Sequence, residues 1–183
     1  MDSKPRKLFV LVGYPLAGTK RTLQHVFDRK HFFPFKRPFT APHLNGQSFV
    51  VINASNSTIT SAAYLAHVRD VLEHHIHAHI SFAIGISLVF DNSEHDVRPI
   101  LQYLHHSRFD VHYLLLYSCM DEKRVINEED LTLFRKCVQR GKIDLFDLLV
   151  SHSTARLDRR STNISRHIQA LLKCDDNLPV ESP

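Results

Sequence analysis

Leu8-Phe9-Val10-Leu11-Val12 is an unbroken apolar run that stops at Gly13. A strand of this composition has no polar face to turn toward water. It therefore belongs at the centre of a parallel sheet with helices covering both sides. The rest of the chain repeats the theme. Ser48 to Ile52, Ile80 to Phe90 and Val111 to Tyr117 read as further strands. Helical spacing fills the intervals: Thr19 to Phe27; Leu65, Val68, Leu72 and Ile76 in a helix from Ser61; and Ile100, Leu101 and Leu104 in a helix that Ser93 caps and Pro99 opens. Asn127 caps a helix to Arg140, which Gly141 ends. Ile143 to Val150 fits helix or strand, Asn163 to Leu172 is a last helix, and the tail from Asp175 to Pro183 frays. Pro34, Pro38 and Pro42 make His31 to Pro42 largely irregular. The expectation is one α/β domain over residues 1–183, a three-layer sandwich with a mainly parallel sheet.

Composition narrows the class of partner. A length of 183 residues suffices to bury a core without staples. The three cysteines, Cys119, Cys137 and Cys174, form no CxxC pair, so reduced thiols and a cytoplasmic location are expected. No apolar run reaches the ~18 residues of a membrane span, and the polar start lacks a secretory pattern. A formal charge of +4, with 14 histidines in reserve, favours anionic partners. Nucleotides and other phosphorylated small molecules come first, and nucleic acid is the less favoured partner.

The segment after the first strand gives that preference a place. Gly13-Tyr14-Pro15-Leu16-Ala17-Gly18-Thr19-Lys20-Arg21-Thr22 is a turn bracketed by glycines that leads into a helix. Glycines let backbone N–H groups wrap inward, and a helix N-terminus adds partial positive charge, so the pair forms a seat for phosphate. Gly13 and Gly18 have the spacing of GxxxxGK[ST], but Thr19 stands where the lysine belongs and Lys20 is one place late. One residue turns a helical side chain by ~100°, so Lys20 aims elsewhere than the usual lysine. Lys20 and Arg21 remain candidates to neutralise phosphate, and Thr19 and Thr22 to meet a metal-bound one.

Two resemblances within the P-loop superfamily follow from these residues. With a one-residue insertion, the segment resembles the Walker A loop of small nucleoside and nucleotide kinases. Without a gap, Gly13 to Thr19 resembles the G-x-P-x-x-G-T loop of sulfotransferases, with Leu16 in place of the expected basic residue. The first resemblance implies a P-loop fold, ATP or GTP with Mg²⁺, and phosphoryl transfer to a small acceptor. The second implies a sulfuryl donor in the same loop. A non-catalytic scaffold that retains the fold is the third reading, and the displaced lysine is its support.

The kinase resemblance assigns further roles. Asp91, closing the run Ile86 to Phe90, is similar to the Walker B aspartate that holds Mg²⁺; alternatively it caps the next helix. Arg156, Arg159 and Arg160 are similar in type and late position to lid arginines that clamp the moving phosphoryl group, the alternative being a solvated helix entry paired with Asp158. Asn53 and Ser55 follow the second strand and line the same rim. His31 to Pro42 is a candidate cover for substrate or a stacking surface for bases. His75 and His79 have metal-chelating spacing if helical, but no third ligand matches, and a solvated helix end is the expectation.

Overall fold

The computed structural model describes residues 6–29, 33–34, 36–75, 79–119, 125–146 and 153–176, with side chains to 173. In chain order the elements are β1 (Lys7–Gly13), α1 (Thr19–Val26), β2 (Phe39–Ala41), β3 (Gln47–Ile52), α2 (Ser61–His74) and β4 (Ser81–Ser87). There follow α3 (Arg98–His105), β5 (Asp110–Leu116), α4 (Glu128–Cys137), β6 (Lys142–Phe146) and α5 (Thr154–Asp176). They form one six-stranded sheet in the order β2-β3-β4-β1-β5-β6. Only the short β2 is antiparallel; it pairs with β3 at the edge.

Every residue of β1 and β4 is buried, as the unbroken apolar runs require. β1 is central, aligned with β4 from Leu8↔Phe82 to Gly13↔Ser87 and with β5 from Lys7↔Asp110 to Val12↔Leu115. Right-handed crossovers put α1 on one face, because the chain steps outward from β1 to β3. The steps β3→β4, β4→β5 and β5→β6 all run the other way, which puts α2, α3 and α4 on the opposite face. The packing of α2 on α3, of α3 on α4 and of α1 on α5 matches this division. The molecule is thus a three-layer α/β sandwich. Counting parallel strands alone, the order is 2-3-1-4-5, which is neither of the two common doubly wound orders.

The topology singles out one end of one strand. The connection leaving β1 goes to one face, while those leaving its neighbours β4 and β5 go to the other. A crevice opens at such a divergence, and here it lies at the loop after Gly13.

Several boundaries differ from the sequence expectation. The third long run stops pairing at Ser87 rather than Phe90, because the buried Asn56 side chain takes over the Ser87 backbone: Nδ2 donates to its carbonyl (2.9 Å) and Oδ1 accepts from its amide (2.7 Å). Ser93 does not cap α3; its hydroxyl accepts from the His95 amide, and the helix begins only at Arg98. The last helix starts nine residues before Asn163. Phe39–Ala41 forms strand β2 inside the expected irregular stretch, and Lys142–Phe146 is strand, while residues 147–150 of the ambiguous region lie outside the described residues. Asn127 caps α4 as expected, accepting from the Asp130 amide, and Thr60 caps α2, accepting from the Ala63 amide. No helix among the described residues is long and apolar enough to cross a membrane.

Candidate functional site

The loop between β1 and α1 is folded tightly onto the end of its own strand. A Cβ added at Gly13 would lie 2.7 Å from that of Ala17 and 3.2 Å from that of Leu116, so only glycine lets the loop double back. The Ala17 amide closes a turn by donating to the Tyr14 carbonyl (3.0 Å). Leu16, at the tip, is exposed with φ 66°, and Gly18 enters α1 with φ 80°.

Three neighbouring elements then hold the loop from beneath. The buried Tyr14 hydroxyl donates to the Asp130 carboxylate on α4 and accepts from the Asn127 amide (3.3 Å). The Cys119 thiol, just past β5, donates to the Pro15 carbonyl (3.4 Å). Arg160 of α5 donates through Nη2 to the Ala17 carbonyl (2.5 Å) and through Nη1 to the Ser118 carbonyl (3.0 Å). Two of the loop's carbonyls are thereby drawn toward the protein.

At the start of α1 the amides of Thr19, Lys20 and Arg21 have no acceptor among the described residues. Gly18 offers no side-chain cap, and the first turn contains no acidic residue. Bare N–H groups, the helix dipole and adjacent cations together favour an anion. Arg160 adds charge directly below. Its side chain is fully buried, its Nε has no acceptor, and no carboxylate among the described residues pairs with it. Burial pulls its pKa down to about 10, so it remains charged at neutral pH. A buried charge without a counter-ion costs several kcal/mol as an order of magnitude, and an anion in the loop would offset part of that.

The other residues singled out in the sequence are distributed as follows. Thr19 packs its methyl on β4, 2.6 Å from where a Gly85 Cβ would stand, so Gly85 is what allows α1 to approach the sheet. Thr22 is buried and its hydroxyl has no partner among the described residues. Arg21 leans toward α5, 3.9 Å from Asp158, which also faces His25 at 3.6 Å. Lys20 is exposed and borders a cavity beyond β3. Arg156, Arg159 and Arg160 sit in the first turns of α5 rather than in a lid; Arg156 and Arg159 are exposed, and Arg160 is hydrogen-bonded to the loop. Asp158 pairs with α1 and not with these arginines.

Asp91 does not close β4 as expected. It lies four residues beyond the end of β4, exposed, and its carboxylate accepts from the Ser93 amide (2.9 Å). The Ser93 hydrogen bonds hold it below the usual carboxylate range. At the end of β4, opposite Gly13, stands Ser87, whose hydroxyl donates to Ser57 (3.0 Å). Mg²⁺ favours carboxylate oxygen, and the end of β4 offers none. Among the described residues no three His, Cys, Asp or Glu side chains gather for a metal. The donor set here does not fit a protein-held Mg²⁺. His75 and His79 likewise share no helical face, because α2 ends at His74.

Sequence reasoning missed Cys119, Ser118, Asn56 and Gly85. A glycine within an otherwise apolar strand, as at Gly85, signals close approach of another element and was the one readable sign. No protein-family model matches the chain, and comparison with curated proteins gave no match.

Proposed function

We propose that the chain binds the phosphate groups of a nucleotide in the loop from Gly13 to Gly18 and the first turn of α1. If it is catalytic, it is a phosphotransferase acting on a small acceptor. The observation that carries this reading is the pairing, at the switch point of the sheet, of α1 amides without an acceptor and a buried Arg160 without a carboxylate partner, both among the described residues. In this reading the amides of Thr19, Lys20 and Arg21 hold phosphate oxygens, and Arg160 supplies charge while setting the loop's shape. Arg156 and Arg159, both exposed at the start of α5, are the candidates to meet a transferred group. Asp91 has no part in it.

The absence of a carboxylate at the end of β4 favours a second reading. Here the loop holds a phosphorylated or sulfated donor without help from a protein-bound metal, as the G-x-P-x-x-G-T resemblance implies. The two readings part on metal dependence.

A thermal-shift titration with ATP, GTP and a 3′-phosphoadenosine nucleotide, each with and without Mg²⁺, tests both. A ligand at 100 times its Kd stabilises the fold by ~2.7 kcal/mol. Stabilisation by ATP or GTP that needs Mg²⁺ supports the first reading, and metal-independent stabilisation by the 3′-phosphate nucleotide supports the second. Either effect is expected to disappear in Arg160→Met. No stabilisation by any of the three would refute nucleotide binding.

A further inference from the structure

We propose that the cavity between α1, the C-terminal end of β3, α2 and the residues Phe33, Pro34 and Lys36 is a small-molecule site for a ring-bearing anion with an N–H donor, in which Lys20 meets the anion and Asn53 accepts from the donor. The cavity measures about 360 Å³, within the ordinary range for small-ligand sites. Phe33, Pro34 and Val71 give it apolar walls suited to a flat body.

Its polar groups are few and incompletely used. Asn53 Oδ1 is buried and has no donor among the described residues. A buried carbonyl oxygen left without a hydrogen bond is costly, so the group is poised for a donor that the protein itself does not supply. Lys36 is paired with Asp70. Lys20 has no carboxylate partner among the described residues, and it projects from the second position of α1 to the cavity's rim. Burial holds the His67 imidazole below its ordinary value, with Asp70 opposing and Lys36 assisting, so it stays neutral at pH 7 and leaves the anion to the lysines.

The one-residue displacement of the lysine now has a geometric meaning. A lysine directly after Gly18 would occupy the place of Thr19, whose methyl lies against Gly85 on β4. At position 20 the side chain is turned by ~100° and serves the neighbouring cavity instead. The inference stands on this cavity and does not require a phosphate in the loop. If the loop does hold a donor nucleotide, the cavity is the seat of the acceptor.

Amide-resolved NMR titration of the full chain with 4-aminophenyl phosphate, phenyl phosphate and 4-aminobenzoate tests it. Saturable shifts at Asn53, Ala54 and Val71 are expected with 4-aminophenyl phosphate. Lys20→Gln is expected to weaken that probe about tenfold, as loss of a charge-assisted contact does. Asn53→Ala is expected to weaken it about 3- to 10-fold while sparing phenyl phosphate, which lacks the donor. Comparison with 4-aminobenzoate identifies the preferred anion as phosphate or carboxylate. Shifts confined to Gly18 through Arg21 would overturn the cavity proposal and leave the loop reading standing. No saturable shift, or wild-type affinity in Lys20→Gln, would overturn it too. Cavity binding with no nucleotide stabilisation would sink the loop reading alone.

Discussion

Arg160 and His112 are both fully buried, and they lie at opposite ends of the sheet. Arg160 keeps its charge beneath the loop. His112, at the start of β5, must stay neutral. Its Nε2 lies 3.0 Å from Asp110, which also pairs with Lys7 at 3.2 Å, and its ring stacks on Phe9. With Nε2–H donating to Asp110, Nδ1 is left without a partner. Protonating Nδ1 would bury a donor with nothing to accept it. Burial is accordingly the leading cause that lowers the His112 pKa below 6.5, against the pull of Asp110. The unfolded chain then binds a proton more readily than the folded one as pH falls below about 6.5. The stabilisation is complete above that value and is lost on acidification, by at most about 1.4 kcal/mol per pH unit for one group. Urea melts at pH 7.5 and 5.5 are expected to show a smaller loss for His112→Gln than for the wild type. An equal loss in both would assign the pH dependence to other groups. Asn56 illustrates a different residue-scale constraint, because its amide makes three bonds that tie the end of β4 to the loop before α3: two with Ser87 and one to the His95 carbonyl (2.8 Å). Asn56→Ala is expected to cost about 2–4 kcal/mol by equilibrium unfolding, since it leaves buried backbone groups unpaired.

Among the elements, the contact between α1 and β4 decides whether the loop keeps its shape. Gly85→Ala would set a Cβ 2.6 Å from the Thr19 methyl and force the helix outward, at a cost of about 1–3 kcal/mol. Thr19→Ser removes that methyl and keeps the hydroxyl. The double variant is therefore expected to recover most of the stability lost in Gly85→Ala, and a double-mutant cycle measures the coupling. Additive effects would mean that the two residues do not oppose one another. This contact also marks how far elements could be read from the sequence. β1, α1, α2 and α4 were legible because an apolar run, helical spacing or a capping Asn signals each one locally. The early end of β4 was not, because Asn56, 31 residues upstream, imposes it. The long α5 was underestimated since Thr154 to Thr162 lacks a wide apolar stripe; Leu157 and the buried Arg160 hold that part down. The loop was legible as a glycine-bracketed turn between strand and helix, whereas the position of Arg160 beneath it depends on a partner 143 residues away.

For the whole molecule, central placement of β1 joins the candidate site to the core. Its seven buried residues are clamped on both sides by parallel partners, and the loop at its end inherits that rigidity. The same arrangement has a consequence in time. Lys7 meets Asp110 across 103 residues of chain. At roughly 5–20 residues per second of synthesis, β1 waits about 5–20 s for its second neighbour. During that interval the most apolar strand of the nascent polypeptide has a bare edge, and parallel pairing over such a separation is slow to form. The strand that gives the finished protein its firmest seam is thus the one that most needs shelter at the ribosome.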